Sequence, residues 1–252
     1  MKLSGKAGFT IVETMLFLGI TAFLIVGFLA GTGSTINNQR YRDSVESLAA
    51  VIQQQYSEVS NVSNTRDIAS SMTCTGLADI YLGGSSPKKI GQSDCVFLGK
   101  YITYTANTDK LLIRTVVGSP IAATDPLSEN SDIAALSDYN IKPMAATTSN
   151  EYNLEWSPTL VNVSNTPISF SILILRSPLS GSPRTFINST AIISDGNLKT
   201  SLVQAGPLST SLKMCVKRDG ISAMKKSAVM VIANATASSG VQTQGGETSL
   251  CN

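Results

Sequence analysis

The 252-residue sequence contains no histidine. Ser-His-Asp and Cys-His catalytic arrangements are therefore impossible. Zinc is disfavoured too, because the four cysteines include no C-x-x-C spacing. Charge is scarce: Asp, Glu, Lys and Arg make up 14% of the chain, with 19 basic residues against 17 acidic, far from the basic excess of a nucleic-acid-binding surface. There is no phosphate-cradling P-loop and no G-x-S-x-G. Ser222-Ala-Met-Lys225 matches S-x-x-K but falls in the expected turn of a hairpin, so it is read as chance. These absences point away from an enzyme and from a bound cofactor.

What is present is a long apolar run, Phe9 to Ala30, in which Glu13 is the only charged residue between Lys6 and Arg40. About 20 apolar residues span a bilayer. A carboxylate at the centre of such a span costs roughly 2.5–3.5 kcal/mol, so it marks a functional position that asks for a partner. Lys2 and Lys6 precede the run and bias that end toward the cytoplasm. A secretory signal has a shorter apolar region, followed by its small cleavage residue; here the small residue, Gly8, comes first.

Gly8-Phe9-Thr10-Ile11-Val12-Glu13, with its basic leader and apolar run, resembles the processing signal of type IV pilins and type II secretion pseudopilins. The resemblance covers roughly residues 5–35. It implies cleavage by a prepilin peptidase between Gly8 and Phe9 and methylation of the new N-terminus at Phe9. It also implies that Glu13 is the family's glutamate at the fifth mature position. The new amine of an incoming subunit would then meet Glu13 of a neighbour, removing two buried charges at once and setting the axial register. The chain departs from many pilins in having no proline before Pro87; Gly19, Gly27, Gly31 and Gly33 occupy the run instead. Gly27 to Gly33 is either a place where the helix weakens or a close-packing motif, Gly27-x-x-x-Gly31.

Beyond Gly33 the helical period continues. Ile36, Tyr41, Val45, Leu48, Ala49, Ile52, Tyr56 and Val59 recur at spacings of three to five, with charged and amide residues between them. This is an amphipathic helix whose stripe suits packing on a sheet. A helix continuous from Phe9 to about Ser60 is on the order of 75 Å long. It should end before Asn61, where turn-favouring residues begin. The expected organisation is a leader (1–8), a membrane or filament-core helix (9–35), its amphipathic continuation (36–60) and an extracytoplasmic β-rich domain (61–252).

Within that domain, Cys95–Ala106 and Leu111–Val117 flank a turn and predict a hairpin. Ile168–Arg176 is the most apolar strand candidate. Ser211–Arg218 and Ala228–Ala235 predict a second hairpin, and Tyr152–Trp156 a further strand. The stretch 118–150 is weakly patterned, with a short helix near Asp132–Leu136, and Ser177–Thr185 reads as a loop. The fold class is α+β: a long helix packed on an antiparallel sheet, as the pilin resemblance also implies.

Cys74, Cys95, Cys215 and Cys251 are an even set in an exported domain, which argues for disulfides. Three connectivities exist. Cys74–Cys95 and Cys215–Cys251 are favoured as nearest in sequence, and the second resembles the closed C-terminal loop of pilins. Asp125, Glu129, Asp132, Asp138, Glu151 and Glu155 form an acidic cluster, while Lys213, Lys217, Arg218, Lys225 and Lys226 form a basic one. The two are either solvated faces or surfaces that meet between subunits. The acidic cluster lacks the spacing of a known calcium loop, and the basic one has few aromatics for nucleic acid.

The expectation is a single-pass membrane protein, leader in the cytoplasm, that leaves the lipid to become an extracellular filament subunit, with a minor pilin or pseudopilin favoured by the size of the domain. Its partners would be the prepilin peptidase, other pilin subunits, an inner-membrane platform protein and an assembly ATPase. The alternatives are a membrane-anchored adhesin or binding module that never polymerises, and a tethered extracytoplasmic enzyme.

Overall fold

The computed structural model describes residues 10–61, 72–74, 78, 80–82, 95–122, 124–145, 149–206, 209–217, 227–244 and 251, with backbone only at 30, 34, 72–74 and 80–82. It is α+β. Helix α1 runs Ile11–Ser60. Among the described residues twelve strands follow, with a short helix α2 (Asp132–Ser137) between the fourth and fifth. The chain divides between Asp43 and Ser44 into two units, each taken by itself below.

In the first unit α1 is apolar and exposed along its length, from Ile11 (78%) to Leu29 (62%). Its hydroxyls do not oppose this. Thr14 donates to the Ile11 carbonyl at 2.9 Å, Thr21 to Phe17 and Leu18 at 3.0 Å, and Thr32 to Leu29 at 3.1 Å. A hydroxyl satisfied by its own helix makes no demand on the surroundings. The stretch Gly27 to Gly33 is uninterrupted helix, with open space where side chains would stand at Gly27 and Gly31.

In the second unit the predicted stripe is the buried face of α1: Val45, Leu48, Ala49, Ile52, Tyr56 and Val59 are each at most 4% exposed. It packs on a six-stranded antiparallel sheet. The strands are β3 (Val96–Tyr104), β4 (Lys110–Pro120), β5 (Tyr139–Pro143), β6 (Asn150–Asn153), β8 (Phe170–Arg176) and β9 (Pro183–Asn188), in the order β5-β4-β3-β8-β9 with β6 also on β4. Two polar contacts pin the helix there. Glu58 meets Lys100 of β3 at 2.9 Å, and the Tyr56 hydroxyl meets Thr185 of β9 at 2.7 Å. Burial pushes the Tyr56 hydroxyl up to about 12, against the opposing bond from Thr185.

The other face of the sheet is covered as well. Tyr101, Val116, Leu173, Leu175 and Phe186 pack with Leu136 of α2 and with Leu198, Leu202 and Val203 around a π-helical turn, Lys199–Gln204. Burial on both faces explains why β8 reads as a continuous apolar run: Ile172 to Leu175 are wholly buried, each contributing about 1.5–3 kcal/mol.

A second, four-stranded antiparallel sheet has the order β12-β11-β10-β7, with β7 (Thr159–Val161), β10 (Ser211–Lys217), β11 (Ala228–Ile232) and β12 (Val241–Gln244). β1 (Met72–Cys74) and β2 (Ile80–Leu82) form a two-stranded ribbon.

Both predicted hairpins form, β3–β4 and β10–β11. The short helix forms at Asp132–Ser137. The expected antiparallel architecture is present, as two principal sheets and a ribbon among the described residues. Two expectations need correction. The loop expected at Ser177–Thr185 is a turn leading into β9, an edge strand opened by Pro183, where a missing N–H is tolerated. The weak stretch 118–150 carries β5 besides α2, because its apolar residues fill the covered second face.

Candidate functional site

Glu13 stands in the first turn of α1, and the structure supplies it with local partners the sequence reading did not name. The Thr10 N–H and hydroxyl both donate to Glu13 Oε2 at 3.1 Å, and the Glu13 N–H donates back to Thr10 Oγ1 at 3.3 Å. This is a capping box, legible as Thr10-x-x-Glu13 in the sequence. It satisfies helix-end donors that the apolar surroundings cannot, and it places the negative charge at the positive end of the helix dipole. The carboxylate remains exposed, and its charge is not neutralised by these neutral donors. Gly8 and Phe9 lie outside the described residues.

The helix that carries this carboxylate is long and apolar enough to cross a membrane. None of its most apolar stretch is buried within the chain. The described threonine hydroxyls of this apolar stretch are bonded to carbonyls of their own helix, so either lipid or apolar protein would cover it at little cost.

The globular unit is stapled. Cys215 of β10 is bonded to Cys251, with Cα atoms 5.8 Å apart across 36 residues. The predicted pair is therefore present, and it anchors the end of the chain to a strand, a restriction of the unfolded chain worth about 2–4 kcal/mol. Cys95 is also held in a disulfide; the side chain of Cys74 lies outside what is described.

Tertiary structure sorts the acidic cluster. Asp132, at the start of α2, is buried. It accepts from Ser177 at 2.6 Å and from Arg184 Nε at 2.8 Å, which ties the 118–150 stretch to the β8–β9 turn. Glu151 pairs with Lys110 at 3.0 Å. Asp125 and Glu129 have no cation within ion-pair distance among the described residues. No three potential metal ligands gather among the described residues either. Arg114 of β4, unremarked in the sequence, lies 5.4 Å over the Tyr101 ring and forks onto Asp195 at 2.8 and 2.5 Å, fastening the second-face layer. In the basic cluster Lys213 and Lys217 are described; Arg218, Lys225 and Lys226 lie outside the described residues, as does Ser222 of the S-x-x-K match.

Asp132 should make the fold acid-sensitive. Burial raises its carboxyl, but hydrogen bonds from Ser177, Arg184 and Ser180 outweigh this and hold it below its ordinary 3.8. A carboxyl lowered on folding stabilises fully above its unfolded value, and that stability is lost as pH falls through the folded value. Urea midpoints should therefore drop between about pH 5 and about pH 2, and Asp132→Asn should flatten that drop while costing about 2–4 kcal/mol at neutral pH. Equal slopes for the two proteins would exclude Asp132 as the cause.

No family model matches this chain, and neither a curated protein nor a solved structure matches it. The class of protein is therefore defined by fold and site alone: an α+β domain carried on an N-terminal helix of membrane-spanning length, with one carboxylate at the helix start.

Proposed function

We propose that the chain is a structural subunit of a filament of the type IV pilus or type II secretion kind, a minor pilin or pseudopilin by the size of its domain. In this reading a prepilin peptidase removes residues 1–8, and the apolar helix passes from lipid into the filament core. A platform protein and an assembly ATPase drive that transfer. The observation that carries the reading is Glu13, the sole charge at the head of an apolar stretch of helix that is exposed from Ile11 to Leu29. The signal around Gly8, the disulfide-stapled C-terminus and the helix-on-sheet domain support it.

The Thr10–Glu13 cap favours a rival. A carboxylate hydrogen-bonded within its own turn is tolerable near a membrane interface without a partner subunit. A membrane-anchored adhesin would use the helix in that way.

Processing tests the reading first. Intact-mass and N-terminal sequencing of the protein from membranes should place the mature start at Phe9, carrying one methyl group. An unprocessed Met1, or a cut beyond Ala30, would reject it.

A further inference from the structure

The four-stranded sheet has one closed face and one open face. Strand residues alternate between the two. Leu212, Met214, Val216, Val229 and Val231 are at most 1% exposed and form the closed face. The residues between them stand on the other face, where Lys213 is paired across the ladder with Met230, and Ser211 with Ile232. Cys215 and Ala228 on this face are covered by Cys251 through the disulfide cluster. On either side of that staple the face stays open: Lys213, Lys217, Met230 and Ile232 are half-exposed. Neither lysine has a carboxylate partner among the described residues. The result is a shallow apolar strip, Met230 and Ile232, with Lys213 beside it and Lys217 beyond the disulfide.

Elsewhere on the same unit is a projection of the opposite character. In the turn Asp125–Ser128, Asp125 accepts the Leu127 N–H at 3.1 Å, and its carbonyl accepts both the Ser128 hydroxyl at 2.8 Å and the Ser128 N–H at 3.0 Å. These bonds hold the turn in one shape with Pro126 buried and Leu127 outward, 68% exposed, the most exposed large apolar side chain described outside α1. Asp125 and Glu129 flank it, and neither is engaged by a cation of its own chain among the described residues.

We propose that this turn of one copy docks on the open sheet face of the next, with Leu127 against Met230 and Ile232 and the two carboxylates opposite Lys213 and Lys217. The surfaces are different patches of one chain, so the contact is heterologous, the type that builds an open filament where the rotation between copies does not close. The inference rests on the filament reading. Exposed ion pairs and one leucine are too weak to join free subunits, but helices already side by side raise the effective concentration enough for them to select register.

The test uses filaments sheared from cells making the full-length chain, treated with a carbodiimide that joins amines to carboxylates only in direct contact. The expected product is a ladder of cross-linked copies whose junction peptides join Asp125 or Glu129 to Lys213 or Lys217. Reversing either side, as Lys213→Glu with Lys217→Glu or Asp125→Lys with Glu129→Lys, removes one of the two groups the reagent joins and should abolish those junctions, and combining the two reversals should restore them with amine and carboxylate exchanged. Circular dichroism of each variant should match the native chain, since all four side chains are solvent-facing. Filaments whose junctions lie elsewhere, or a combined variant no better than its halves, would overturn the contact while leaving the filament reading standing. A native chain that forms no filaments would remove both.

Discussion

Gly99→Ala is expected to destabilise the globular unit by more than about 4 kcal/mol, the exceptional end of single substitutions. Gly99 lies in β3, a central strand hydrogen-bonded to β4 on one side and β8 on the other, directly after a register shift between Phe97 and Gly99. A methyl group there would fall on the main-chain carbonyl oxygen of Ile174, far inside contact distance. A backbone atom of a buried strand cannot rotate aside, so β3 must part from β8 and the pairing of Gly99 with Leu175 is lost. Gly118→Ala is the control. Its methyl meets the Leu98 side chain, which has other rotamers, and the cost should be about 1–3 kcal/mol. Urea unfolding followed by tyrosine and tryptophan fluorescence checks both. A Gly99→Ala protein within about 1 kcal/mol of the native chain would mean that the sheet is not packed as described.

The second large effect is functional. Glu13→Gln should leave the protein inserted and processed but lower filament yield at least tenfold, an order-of-magnitude expectation from removing one partner of a buried ion pair. Glutamine at this position still accepts from the Thr10 N–H, because a capping box works with either residue. The start of α1 therefore persists while the charge is gone. Thr10→Val is the reciprocal change: it removes the side-chain half of the cap and keeps the charge. If the anion pairs with the amine of an adjacent copy, the glutamine variant fails and the valine variant assembles. If the carboxylate serves only its own helix end, as in a non-polymerising anchor, the order reverses. Quantifying sheared filaments by immunoblot against total membrane protein separates the two. A glutamine variant with native yield would end the charge-pairing account.

Much of the fold was legible because local pattern and final burial agree. The stripe from Val45 to Val59 has one period and one buried face, and it became the sheet-facing side of α1. The hairpin β3–β4 sits where two apolar runs bracket Asn107-Thr108-Asp109, and Asn107 takes the left-handed backbone such a turn needs. Residues 183–188 were not legible as a strand. β9 starts at a proline and carries Arg184 and Thr185, whose polar groups are satisfied only because Asp132, Tyr56 and the chain after β11 supply partners from far away in sequence. Apolar residues at 198–203 have no period of their own that announces a layer; their place exists only once the second face of the sheet exists.

The candidate site divides the same way. Thr10 was readable beside Glu13, since a capping box is a spacing within one turn. The acidic residues were not separable by sequence. Asp132 and Glu151 are committed to Arg184 and Lys110, 52 and 41 residues away, whereas Asp125 and Glu129 are not. The cysteine pairing 215–251 was one of three connectivities until β10 and the chain end were brought together.

By itself, then, the sequence determined the long helix, its exposed apolar half, the lone carboxylate at its head and the α+β class, because each depends on periodicity or composition within a few turns of chain. The number of sheets, the covering of both faces of the larger one, the fate of each charge and the open face beside the disulfide were decided by tertiary structure alone. Those features depend on which distant residues share a neighbourhood, and the free energy of burying or pairing a group is set by that neighbourhood, not by the residue's neighbours along the chain.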